Sequence, residues 1–174
     1  MSTAPHRLHA LKACPLTPEA FAPYGTVAGW ASAVDGAGRF INAGTTERFD
    51  LIDDLKLDAE GGRAMLAMFR AQARRFPHAL VELERHLLGS QTFVPLGARR
   101  FVIVVAPAGA APTARTLAAF VTDGSQGITL STGTWHHALL AVDGGDFVVV
   151  ERAGERIDCD TAVLSEHVAV TLPD

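Results

Sequence analysis

Four residues in this chain have side chains that bind metals or move protons, at spacings that can bring them together: Glu84, His86, Gln91 and His136. If Val81–Leu87 is a β-strand, alternation puts Glu82, Glu84 and His86 on one face and Leu83, Arg85 and Leu87 on the other. A strand face with two carboxylates and an imidazole belongs either in water or on the wall of a polar cavity. Five residues beyond His86 comes Gln91, and the Gly-containing run S-T-G-T-W-H-H (Ser131–His137) delivers two more imidazoles. Imidazole and carboxylate ligands suit divalent first-row metals, and such a site with an open position polarises an oxygen-rich substrate. Spacing alone equally allows Glu82, Glu84 and His86 to be the solvated face of an outer strand. His136 and His137 are neighbours, so on a strand only one of them faces a cavity.

The elements that must position these groups read as short strands with a turn about every ten residues, the pattern of an all-β sandwich or barrel. Leu8–Cys14 is a strand candidate, and Thr17-Pro18-Glu19 starts a short helix with Thr as its N-cap. Thr26–Trp30 is another strand, Ala31–Gly38 a loop of small residues, and Arg39–Asn42 and Thr46–Leu51 a hairpin about Ala43-Gly44. In Ala64–Arg75 propensity favours a helix, whereas alternation separates Met65, Ala67 and Phe69 from Leu66, Met68 and Arg70. The β character on either side decides for a strand. Strands follow over 101–106, 116–122, 127–131, 135–142, 147–152 and 168–172, with Trp135 and Phe147 as core aromatics. No repeat or linker divides the 174 residues, whose length suits one domain.

Composition narrows the function classes. Hydrophobic residues make up 48% and charged residues 20%, a globular balance. The net charge of −4 offers no basic stripe for nucleic acid. No apolar run is long enough for a membrane-spanning helix, and no secretory signal opens the chain. Cys14 and Cys159 stand far apart without a C-x-x-C pair, so a cytoplasmic protein without a disulfide framework is expected. The only lysines are Lys12 and Lys56, outside the candidate site, which leaves Schiff-base chemistry few candidates.

The spacing Glu84-x-His86-x4-Gln91 followed by Ser131-x-Gly133-x-x-His136 resembles a degraded pair of cupin motifs, normally H-x-H-x3-4-E and P-x-G-x-x-H. The runs F-I-N-A-G-T-T-E-R-F, E-L-E-R-H-L-L-G-S-Q-T-F-V-P, A-F-V-T-D-G-S-Q-G-I and W-H-H-A-L resemble the ureidoglycolate lyase family of purine (allantoin) degradation, from Leu16 to about Leu172. This resemblance implies a cupin-like double-stranded β-helix (a jelly-roll barrel) with a few short helices. It also implies a homodimer that acts on ureidoglycolate to give glyoxylate and urea. Nickel is the divalent metal it suggests, with Glu84, His86, Gln91 and His136 as ligands; no organic cofactor is implied. Glu84 stands where cupins carry a first histidine, and Gln91 where they carry a glutamate.

Ureidoglycolate carries a carboxylate, a hydroxyl and a ureido nitrogen on one carbon. Eliminating urea needs a base for the hydroxyl proton, an acid for the nitrogen and a clamp on the carboxylate. His86, His136 and Glu84 are the catalytic candidates, with burial expected to raise the Glu84 pKa. Arg70, together with Arg48, is the candidate clamp, and Gln91 and Asn42 are further candidate substrate contacts; for Arg48 and Asn42 spacing alone favours ordinary loop polarity. Two other readings stay open. One is an amidohydrolase releasing ammonia and CO2, and the other a non-catalytic barrel that binds a small carboxylate.

Overall fold

The computed structural model describes residues 8–30 and 38–174. The expected flexible end at Met1–His6, and all but Gly38 of the expected small-residue loop, lie outside them.

The chain opens with β1 (His9–Lys12), β2 (Cys14–Pro15), helix α1 (Pro18–Phe21) and β3 (Gly25–Ala28). Thr17 caps α1 as its sequence predicts, its hydroxyl accepting the Ala20 N–H at 3.3 Å. A hairpin of β4 (Arg39–Ile41) and β5 (Thr46–Arg48) precedes the long strands β6 (Arg63–Ala71) and β7 (His78–Arg85). Then come β8 (Gln91–Pro95), β9 (Phe101–Ala106), β10 (Ala118–Val121) and β11 (Gly127–Leu130). The chain ends with β12 (Trp135–His136), β13 (Leu140–Ala141), β14 (Gly145–Ala153) and β15 (Asp160–Thr171). Residues 64–71 are strand, so alternation outweighs the helix propensity of Ala, Met and Leu. Packing supplies the reason: Ala67 and Ala71 turn onto the core, while Leu66 and Met68 on the opposite face are exposed.

One sheet runs β1-β15-β7-β12-β9-β10-β2 with β13 also on β9, and the second runs β3-β11-β8-β14-β6. Together they form a nearly closed, cupin-like β-barrel. Strand β9 explains the layering. All six of its residues are buried, and they alternate between two cores. Phe101, Ile103 and Val105 face the barrel interior with Phe93, Ile128, Phe147 and Val149. Val102, Val104 and Ala106 face an outer core with Leu80, Leu83, Trp135 and Val170. A strand covered on both sides reads as an unbroken apolar run, here F-V-I-V-V-A. Burying a side chain such as Phe147 or Leu83 contributes roughly 1.5–3 kcal/mol, before entropy is counted.

Alternation in β7 is less regular than its sequence suggests. Leu80 and Leu83 lie three apart yet share the outer core, and the pairing of β7 with β15 shifts register between Val163 and Val168. Glu82 is therefore exposed instead of sharing a polar wall with Glu84 and His86.

Candidate metal and substrate site

Strand register sets the centre of the site. β12 is inserted between β7 and β9, and its His136 pairs with Glu84 on one side and Val105 on the other. Trp135, one residue earlier, is buried in the outer core with the Arg85 guanidinium 4.3 Å from its ring centroid. Because neighbours on a strand face opposite ways, fixing Trp135 outward turns His136 inward. The turn Ser131–Thr134 has Gly133 at φ +83°, the left-handed conformation wanted at the third position of a type II turn. The Gly133 N–H donates to the His86 carbonyl at 2.7 Å, which ties the turn to the end of β7. The G-x-x-H spacing thus carries a geometric role for each residue.

Glu84, His86 and His136 converge, with one candidate ligand atom from each lying within 4.8 Å of the others. His86 engages the Asp158 carbonyl through Nδ1, and His136 the Thr134 carbonyl at 3.1 Å. A carbonyl accepts only, so each neutral ring carries its proton on Nδ1 and presents a lone pair at Nε2. Both Nε2 atoms are buried without a hydrogen-bond partner among the described residues, as is the Gln91 side-chain oxygen. The Gln91 amide nitrogen donates to Glu151 at 2.8 Å, which fixes its orientation. Buried polar atoms are seldom left unpaired, because each costs about 1–3 kcal/mol.

The His136 Nε2 lies 3.5 Å from a Glu84 carboxylate oxygen, so two acceptors face each other unless a cation lies between them. Two imidazole lone pairs and a carboxylate form a donor set that fits a divalent metal. Glu84 departs from expectation in one respect. Its carboxyl is held below the usual range, chiefly by a hydrogen bond from the His136 ring, which Nε2 supplies only when it carries a proton in place of a metal, while burial pulls the other way. Proximity to an imidazole outweighs desolvation because the side chain is only partly buried.

A cavity of about 280 Å³ opens beside this cluster, lined by His86, Glu151, Arg152, Arg156, Asp158 and Cys159 among others. The Cys159 thiol donates to Glu84 at 3.5 Å, and burial, with the neighbouring carboxylates adding to it, pushes its pKa up to about 11. Asp158 accepts the backbone N–H groups of Leu87 and Leu88 at 2.6 and 2.8 Å, pinning the segment after His86.

The other expected substrate contacts lie elsewhere. Arg70 is on the exposed face of β6 in a two-point pair with Asp146, at 2.8 and 3.1 Å. Arg48 pairs with Asp50 at 2.6 Å, and Asn42 donates to Thr46 in the same exposed hairpin. None of the three lines the cavity. His137 leaves the cluster to stack edge-on against His78. Sequence reasoning missed Glu151, Arg152, Asp158 and Cys159. A signal for Glu151 existed, since Phe147 and Val149 face inward and parity carries Glu151 with them.

The family model described as ureidoglycolate lyase matches residues 8–171. The chain belongs to the ureidoglycolate lyase family. The ureidoglycolate lyase of Burkholderia cepacia is 49% identical to it over 149 residues, covering 83% of this chain and 81% of that protein. That of Pseudomonas syringae pv. syringae is 42% identical over 160 residues, covering 91% and 92%. That of Burkholderia mallei is 43% identical over 159 residues, covering 90% and 91%. As a member of the ureidoglycolate lyase family the chain is an enzyme. Among its described residues no helix is long and apolar enough to cross a membrane.

Proposed function

We propose that the protein is a ureidoglycolate lyase, eliminating urea from ureidoglycolate to leave glyoxylate. The observation that carries this reading is the pair of orphaned buried acceptors, His86 Nε2 and His136 Nε2, gathered with Glu84 in a chain of this family. Those three residues and Gln91 would hold a divalent metal, nickel by family resemblance, which when bound supplies a Lewis acid for a substrate oxygen.

The chain's own groups do the rest. The carbonyls of Asp158 and Thr134 fix the two imidazole tautomers, so both rings would offer Nε2 to the metal. Glu84, the carboxylate of the cluster, is the proton acceptor. Its Oε2 takes the thiol of Cys159, a residue of the cavity wall. As the substrate hydroxyl proton passes to Glu84, the C–O bond becomes C=O and the C–N bond breaks. Its electron pair goes to nitrogen, which recovers the proton as urea leaves. Each well-placed acid or base contributes about 10²–10⁴ in rate.

Both cysteines are free, which supports a cytoplasmic protein. An exposed apolar row on the second sheet, Leu66, Met68 and Val94, offers a face for the homodimer that the family resemblance implies.

The test is incubation of chelator-treated protein with each ureidoglycolate enantiomer, with and without added nickel, while measuring urea and ammonia. Urea in step with glyoxylate is expected. Ammonia in its place makes the protein an amidohydrolase, and saturable binding without turnover makes it a binding module.

A further inference from the structure

The substrate of the proposed reaction is an anion, yet the arginines expected to bind it face solvent. Arg70, Arg85, Arg100 and Arg156 are each neutralised by a carboxylate. Arg152 is different. Its Nε donates to the Ala59 carbonyl at 2.9 Å, and its terminal nitrogens to the carbonyls of Arg156 and Glu60 at 3.4 and 3.3 Å. All three acceptors are neutral, so no ion pair among the described residues offsets the Arg152 charge. The nearby carboxylates are already engaged. Glu60 holds Arg156, Asp158 takes two backbone N–H groups, and Glu151 holds Gln91.

A guanidinium has five N–H donors in a planar fork. Three are engaged, which leaves one on each terminal nitrogen for a further acceptor, and a carboxylate can take both. Glycines make room for the side chain. A Cβ at Gly154 would lie 2.8 Å from both terminal nitrogens, one at Gly62 2.3 Å from Nε, and one at Gly89 2.7 Å from the Arg152 Cβ. Gly154 and Gly89 both line the cavity that His86 also lines, so the fork stands at its wall.

We propose that Arg152 is the residue that grips the substrate's carboxylate, turning the reacting carbon toward the Glu84–His86–His136 cluster. This rests on the lyase reading above and adds the basis of its selectivity for an acid. The three carbonyl bonds then serve to aim a charged fork as well as to hold residues 59–60 against β14.

The test compares kcat/KM for ureidoglycolate and for its neutral carboxamide, in the wild type and in Arg152→Gln. A clamp favours the acid over the amide by about 100-fold in the wild type. The preference collapses to within about threefold in Arg152→Gln, mainly through KM. Arg152→Lys keeps a charge and a stem but loses the fork, so it falls between the two even if the glutamine variant folds poorly. A purely structural role lowers the melting temperature and cuts both substrates equally, leaving their ratio unchanged; that result overturns the proposal. Wild-type protein that turns over the acid while Arg152→Gln keeps the preference refutes the clamp alone. Wild-type protein that releases urea from neither compound refutes the lyase reading and the clamp with it.

Discussion

The imidazoles of His86 and His136 face each other with ring centroids 5.2 Å apart, each with its Nδ1 committed to a backbone carbonyl. Two lone pairs aimed into one buried space are unfavourable unless something electrophilic is shared between them. Replacing either ring by alanine should lower urea release by about 10²–10⁴ and remove tight nickel binding in titration calorimetry. Near-wild-type turnover in both variants would exclude this cluster as the reaction centre.

In the proposed metal site Glu151 stands one step behind the ligand Gln91, whose amide donates to it at 2.8 Å. Glutamine at position 151 still offers an acceptor, whereas leucine does not, so the two variants separate orientation from charge. Glu151→Leu should weaken nickel binding by about 10–100-fold, the usual consequence of removing a ligand's outer hydrogen-bond partner. Glu151→Gln should stay within a few-fold of wild type. Calorimetry on the two purified proteins decides, and equal affinities would mean that Gln91 orients itself.

Much of this arrangement was legible because period-2 alternation, a capped helix and a Gly turn are local signals. Thr17, Gly133 and the parity of Met65, Ala67 and Phe69 each declared their element, and F-V-I-V-V-A declared a long hydrophobic strand. The pairing of His136 with Glu84 is non-local, and only the G-x-x-H spacing hinted at it. Arg70 illustrates the limit. Its place among apolar neighbours suggested half-burial, but Leu66 and Met68 belong to an exposed sheet face and Asp146 satisfies the charge. The bulge that exposes Glu82 depends on how β15 crosses β7, which no single stretch of sequence encodes.

That exposed face carries a prediction of its own. Met68 pairs with Val148 and Leu66 with Val150, while Val94 pairs with Val148 from the other side, making a continuous apolar surface next to the free edge of β6. Leu66 is 74% and Met68 59% exposed, an uneconomical arrangement for an isolated subunit. With this face as the interface of the proposed homodimer, wild-type protein should be dimeric in light scattering and Met68→Glu monomeric, with the far-ultraviolet dichroism of the barrel unaltered. A wild-type protein already monomeric at tens of micromolar would remove this role from the face.

His78 and His137 meet edge-to-face with ring centroids 5.8 Å apart, and burial is the main cause that depresses both pKa values. For His78 the neighbouring His137 and Arg74 add to the depression; for His137, Glu84 and the Ala138 carbonyl partly oppose it. In the unfolded chain both rings protonate near the ordinary value of about 6.5. The folded state binds fewer protons just below that pH, so its stability rises with pH there. The contribution is complete above the unfolded pKa and is lost as pH falls through the folded values. Melting temperature should therefore be flat above about pH 7.5 and decline from about pH 7 to 5. Carboxylates such as Asp143 and Asp146, whose pKa values are lowered by Arg100 and Arg70, give way only in a more acidic window. Replacing both histidines by glutamine removes the titrating groups and should flatten the decline between pH 7 and 5. An unchanged slope in the double variant would assign the acid sensitivity to other residues.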